Sequence, residues 1–225
     1  MDVLALDPLK SSGLPQNLED VLDDMHISAV SFNRSGDLLA AGCLDGTVVI
    51  YDFDTRGVAR MHKVHTDVVL YVNWSPDARH ILSSSGDKTV AFFEADSGMK
   101  MFVKELGCVP SSAVLHPGNE PLCLVNTPSS TPLLCNVESG QEKHVPMLDE
   151  EDQAGSKRQS GIYPVVADFL GNGSAIIVGN AKGAVNVVST ASFQLLTSLK
   201  MSGSPRIINF SHSFDRDSVA INCHQ

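Results

Sequence analysis

The chain has 225 residues, 43% of them hydrophobic, with a mean hydropathy of +0.03 and a formal net charge of −10. That length fills one sizeable core of a soluble globular domain, no apolar run is long enough to cross a bilayer as a helix, and no secretory segment opens the chain. The acidic balance argues against nucleic-acid binding by bulk electrostatics, and much of it sits in two places, net −5 over residues 1–24 and net −2 over 149–158.

In chain order, residues 2–9 alternate well enough to form an outer strand. Leu14, Leu18, Val21 and Leu22 then fall at helical spacing with acids opposite, which predicts a short amphipathic helix plugging a sheet edge. Residues 1–25 are therefore expected to be an N-terminal strand and helix. From residue 26 a unit recurs. Phe32, Trp74, Leu115, Phe169 and Phe210 hold the same place in successive units, at intervals of 42, 41, 54 and 41 residues. Tyr51-Asp52, Phe93-Glu94 and Cys135-Asn136 keep the same step as second landmarks. A period in the low forties is that of a β-propeller blade.

The first unit reads as strands over residues 28–32, 38–43, 47–53 and 58–61, separated by Asn33-Arg34-Ser35-Gly36, Leu44-Asp45-Gly46 and Asp54-Thr55-Arg56-Gly57. Their β-branched, aromatic and small apolar residues, bounded by Gly, Asn and Asp, predict short antiparallel strands. The second unit repeats the order with strands over 68–74, 80–84, 89–93 and 99–106. The third has strands over 112–116, 122–126 and 132–136, and its turn Thr127-Pro128-Ser129-Ser130 lacks the Asp-Gly signature. The fourth gives strands over 165–169, 175–179 and 185–189, and the fifth only 206–210 and 219–222. The prediction is all-β, a propeller with about four and a half blades: about 26–62, 63–106, 107–146, 162–201 and a partial fifth at 202–225. Closed propellers hold about four to eight blades. This points to a shortened part of a larger, seven-bladed ring, with a five-bladed ring completed by the N-terminal strand as the alternative.

The 54-residue interval marks an inserted acidic loop over 147–161. It is read as a solvated linker or as a docking and phosphorylation loop around Ser156 and Ser160. Five cysteines, Cys43, Cys108, Cys123, Cys135 and Cys223, are scattered without any Cys-x-x-Cys pair, which predicts reduced core thiols. His62 and His65 lie three apart and would face opposite sides of a strand, so no metal site is expected there. No glycine-rich phosphate loop is present, and no cofactor is expected.

Three segments carry a resemblance to a family. Phe32-Asn33-Arg34-Ser35-Gly36 with Leu44-Asp45-Gly46, Val49-Ile50-Tyr51-Asp52-Phe53 and Thr55-Arg56-Gly57 resembles the first blade of the retinoblastoma-binding protein 5 family. Trp74-Ser75 with Asp77 resembles its second, and Gly179-Asn180-Ala181-Lys182-Gly183 its fourth. The resemblance runs in order from the first unit to Asn222. It implies a WD-repeat fold and a non-catalytic scaffold in COMPASS-type complexes that methylate histone H3 lysine 4 in the nucleus. The partners it implies are a SET-domain methyltransferase, SPRY-domain and second WD-repeat subunits and the nucleosome, with no membrane and no small-molecule substrate. The sequence departs from the family where Tyr51 and Phe93 stand for tryptophans and where residues 201–206 make a shorter insertion. Lys182, Lys200 and Arg206 are the candidate contacts to a nucleosome or partner. The alternative is a cytoplasmic WD-repeat adaptor that binds a peptide or protein partner.

One set of side chains carries the chemistry of a hydrolase. His65, Ser83 or Ser84, and Asp87 fall in the second unit, and Ser, His and Asp form a nucleophile-base-orienter triad. No Gly-x-Ser-x-Gly elbow accompanies them. By resemblance to WD-repeat blades, His65, Ser83 and Asp87 are expected to form a buried network that ties strands together, and no enzymatic activity is expected.

Overall fold

A computed structural model describes residues 25–118, 120–128, 131–146, 166–179, 184–200, 206–212 and 219–224, with Lys200, residues 206–212 and residues 219–224 described by backbone alone. The expected strand at 2–9, the helix at 14–22, the acidic insert at 147–161 and Lys182 lie outside these residues. Among the described residues there are 18 strands and no helix.

Four antiparallel sheets of four strands follow one another, each ordered as in the sequence. The first holds β1 (Ile27–Phe32), β2 (Leu38–Cys43), β3 (Thr47–Asp52) and β4 (Gly57–Lys63). The second holds β5 (Val69–Trp74), β6 (His80–Ser85), β7 (Thr89–Glu94) and β8 (Lys100–Glu105). The third runs through β9 (Ser112–Leu115), β10 (Leu122–Asn126), β11 (Leu133–Asn136) and β12 (Glu142–His144), and the fourth through β13 (Val166–Leu170), β14 (Ala175–Gly179), β15 (Ala184–Ser189) and β16 (Leu195–Lys200). A two-stranded sheet, β17 (Arg206–His212) and β18 (Val219–His224), completes the described chain. The outer strands β12 and β16 are additions to the sequence reading.

The middle strands of each sheet are nearly all buried, as in Val48–Ile50 and Ile81–Ser85, because successive sheets pack face to face; the free face of the first sheet holds its own cluster of Leu39, Ala41, Val49 and Tyr51. Three clusters do the covering. Val48, Ile50, Val69, Trp74 and Phe93 join the first and second sheets. Leu82, Phe92, Leu115, Cys123 and Cys135 join the second and third, and Leu124, Leu134, Phe169 and Ile176 join the third and fourth. The landmark residues Trp74, Leu115 and Phe169 each sit in the cluster shared with the preceding sheet, at 7%, 6% and 0% exposure. Phe32 holds the same register yet is 53% exposed, its ring 5.1 Å from that of Phe53. Fully burying one such side chain stabilises by about 1.5–3 kcal/mol, so the joints between sheets carry much of the fold.

Candidate functional site

The polar centre of the second sheet is built from residues that alternation and turn chemistry bring to one point. His65 lies in the link from β4 to β5, Ser83 on β6, and Asp87 in the β6–β7 turn. His65 Nε2 is 2.8 Å from Ser83 Oγ, and its Nδ1 is 3.1 Å from Asp87 Oδ2 and 2.9 Å from Thr89 Oγ1. A carboxylate only accepts, so Nδ1 carries the proton and donates to Asp87, while Nε2 accepts from the Ser83 hydroxyl. Asp87 also accepts from the Thr66 N–H at 3.0 Å, the Thr89 N–H at 2.9 Å and the Thr89 hydroxyl at 2.6 Å. The structure thus brings together all three residues singled out in the sequence.

Burial raises the Asp87 carboxyl, but the Thr89 hydroxyl, the Thr66 and Thr89 amides and His65 outweigh it and hold it down at about 2. Burial lowers the His65 imidazole, and Asp87 only partly offsets this. At neutral pH the pair is a neutral imidazole bonded to a carboxylate. Ser84, the other serine considered, points to the opposite face of β6, and its buried hydroxyl has no partner.

This geometry matches a hydrolytic triad in connectivity, but Ser83 is 1% exposed and His65 2%. A substrate carbonyl has no route to the serine. What the network does is mechanical: it fixes the β6–β7 turn to the link before β5. The His65 N–H also donates to the Gly46 carbonyl in the corresponding turn of the first sheet, at 2.9 Å. Gly46, with φ of +89°, is required there because a Cβ would run into the His65 carbonyl. In the first sheet Asp45 repeats the Asp87 role toward Thr47, accepting from its amide at 3.0 Å and its hydroxyl at 2.8 Å, with no histidine completing the set. Asp-x-Thr recurs in both turns of the sequence and was the available signal for Thr89.

Polar bonds also cross from sheet to sheet. Trp74 Nε1 donates to the Ser31 carbonyl at 2.9 Å. The Asn126 carboxamide donates to the Ala167 carbonyl and accepts from the Ala167 N–H, at 2.8 and 3.1 Å. At the rim, Arg60 pairs with Asp96 and Lys104 with Glu142. His62, by contrast, bonds the Ala95 carbonyl at 2.8 Å and does not converge with His65. Among the described residues no three His, Cys, Asp or Glu side chains gather as metal ligands.

Of the candidate contact cations, Lys182 lies outside the described residues and Lys200 and Arg206 are described by backbone alone. Lys200 ends β16, paired with Ala184, and Arg206 begins β17, paired with His224. The two flank the connection between the fourth and fifth sheets.

Residues 17–77 match the family described as the anaphase-promoting complex subunit 4 WD40 domain. Protein RBL of Arabidopsis thaliana is 30% identical over 237 residues, covering 100% of this chain and 43% of that protein. Retinoblastoma-binding protein homolog 5 of Caenorhabditis elegans is 32% identical over 79% of the chain and 38% of the relative. Set1 complex component swd1 of Schizosaccharomyces pombe is 28% identical over 88% of the chain and 51% of the relative. The chain thus spans about two fifths to one half of the length of these relatives. In fold it is similar to the crystal structure of the Myceliophteria thermophila Cps50 (Swd1) β-propeller domain, with a TM-score of 0.80 and 23% identity over 91% of this chain and 64% of that one. With four-stranded sheets stacked in sequence order, this is a WD-repeat β-propeller chain, similar along nearly its whole length to retinoblastoma-binding protein 5 homologues and Swd1.

Proposed function

We propose that the chain is a non-catalytic scaffold subunit of a COMPASS-type histone H3 lysine 4 methyltransferase complex. The observation that carries this reading is similarity along nearly the whole chain to proteins named as Set1 complex and COMPASS components. The sealed network agrees with it: the residues that could do hydrolytic chemistry are spent on holding turns, and a propeller presents rims and faces to partners. The scaffold works in the nucleus, beside a SET-domain methyltransferase and with SPRY-domain and second WD-repeat subunits. Lys182, Lys200 and Arg206 would meet phosphate or an acidic partner surface.

Affinity purification of the tagged chain from nuclear and cytoplasmic extracts of its own cells, read by mass spectrometry, tests this. A SET-domain methyltransferase with SPRY-domain and WD-repeat subunits is expected in the nuclear fraction. A Lys182→Glu, Arg206→Glu double variant should keep the fold and the protein partners while losing nucleosome association by about ten-fold, the scale of two lost phosphate contacts. Recovery of unrelated cytoplasmic partners alone would replace the scaffold reading with that of an adaptor.

A further inference from the structure

A cleft of about 520 Å³ opens between the third and fourth sheets, at the end where the β9–β10, β11–β12, β13–β14 and β15–β16 turns cluster. Its volume is that of a site for a small ligand or a few residues of peptide. One wall is aromatic at an unusual position. In the turns that join the third and fourth strands of each sheet, the same residue has positive φ: Arg56 at +53°, Gly98 and Gly140 at +71°, and Phe193 at +56°. Glycine suits this conformation and an aromatic residue does not. Phe193 holds it with its ring packed against the Leu134–Phe169 cluster and with Lys143 Nζ 5.6 Å from the ring centroid.

Three hydrogen-bonding groups on the lining are donors. His116, 5% exposed and packed edge-on against Phe169 at 5.0 Å, accepts the Gly118 N–H on Nδ1 at 3.1 Å. Its proton is therefore on Nε2, at the edge of the ring packed so closely on Gly173 that a Cβ there would overlap it. The Asn136 carboxamide oxygen already accepts the Glu138 and Ser139 amides at 3.0 and 2.7 Å, which leaves its NH₂ to donate. Lys143 makes no ion pair among the described residues. An imidazole N–H, a carboxamide NH₂ and an ammonium beside a half-buried aromatic ring match an acceptor that is negatively charged and attached to something apolar. Glu120 is the one carboxylate on the lining.

We propose that this cleft binds a short acidic peptide segment of a partner protein, one carboxylate meeting His116, Asn136 and Lys143 and a neighbouring apolar side chain lying on Phe193. The site does not depend on which complex the chain joins. A carboxylate that meets two neutral donors as well as the exposed ammonium is worth about ten-fold in affinity over its amide counterpart.

The test uses the full 225-residue chain and an array of acetylated, amidated hexapeptides, each with one leucine or phenylalanine beside one or two aspartates, against matched asparagine peptides. Hits are measured by fluorescence anisotropy. Aspartate peptides should bind about ten-fold more tightly than their asparagine matches. Lys143→Ala, an exposed position, should remove that preference, and Glu120→Gln should tighten binding about two-fold. Phe193→Gly should weaken binding while circular dichroism shows the fold retained. Equal binding of aspartate and asparagine peptides, no aspartate peptide binding, or an unchanged preference in Lys143→Ala would each overturn the assignment.

Discussion

At His65 and Asp87, burial and hydrogen bonding compete, and the outcome sets how the fold responds to acid. Asp87 is held at about 2 in the folded protein against about 3.9 in an unfolded chain, so its contribution is complete above pH 4 and is lost as pH falls toward 2. With its side chain only 12% exposed, the contribution is about 2 kcal/mol. His65 acts earlier. Its folded pKa lies below the usual 6.5, so the unfolded chain takes up the proton first and stability falls as pH drops through 6.5. Urea unfolding at pH 7 and pH 5 should therefore show a lower midpoint at pH 5. His65→Gln, which removes the acceptor of the Ser83 hydroxyl and one of the four donors to Asp87, should cost about 2 kcal/mol at pH 7 and flatten that slope. An unchanged slope would assign the acid sensitivity to other histidines. The sequence placed His65, Ser83 and Asp87 in one unit because a turn, a strand and a link are each legible from spacing. It left Ser83 and Ser84 both open, since the face a strand turns inward follows from the packing of its neighbours.

The elements differ in how visible they are before folding. Middle strands announce themselves by apolar content because they are buried, as in Leu38–Cys43 and Ala175–Gly179. The outer strands β12 and β16 do not. Every residue of Glu142–His144 is exposed, and the strand is held by ladder bonds to β11 that any sequence except proline can make. Trp74 illustrates a second limit: its aromatic register was legible, but its bond to the Ser31 carbonyl depends on the preceding sheet. Trp74→Phe keeps most of the apolar contact and deletes the donor, leaving that carbonyl without this bond. It should lower unfolding free energy by about 1–2 kcal/mol in urea titrations. A conservative aromatic change at the exposed Phe32 should cost less than about 0.5 kcal/mol, as is usual for surface sites. Equal losses at the two positions would mean that the Ser31 bond contributes nothing.

Across the whole molecule, each sheet is stabilised chiefly by the sheets beside it. The rim ion pairs add little to these joints: Arg60 and Asp96 have side chains 51% and 78% exposed, and such pairs contribute about 0–1 kcal/mol. The cleft between the third and fourth sheets was invisible in the sequence for the same reason that the joints were. Its lining comes from four turns and the strand ends beside them, and Phe193 shows no turn signature because its equivalents are two glycines and an arginine. Repetition with neighbour-only contacts predicts that stability is a sum of unit and interface contributions, so damage to one joint stays near it. Phe169, fully buried between the third and fourth sheets, tests this. Phe169→Ala should cost about 3–5 kcal/mol at that joint. By hydrogen exchange, amides of β13 to β16 should then lose protection while those of β1 to β8 keep theirs, because the cluster between the first two sheets contains none of the affected contacts. Uniform loss from β1 to β16 would instead make the propeller one cooperative unit, in which the first sheets cannot hold their structure without the fourth.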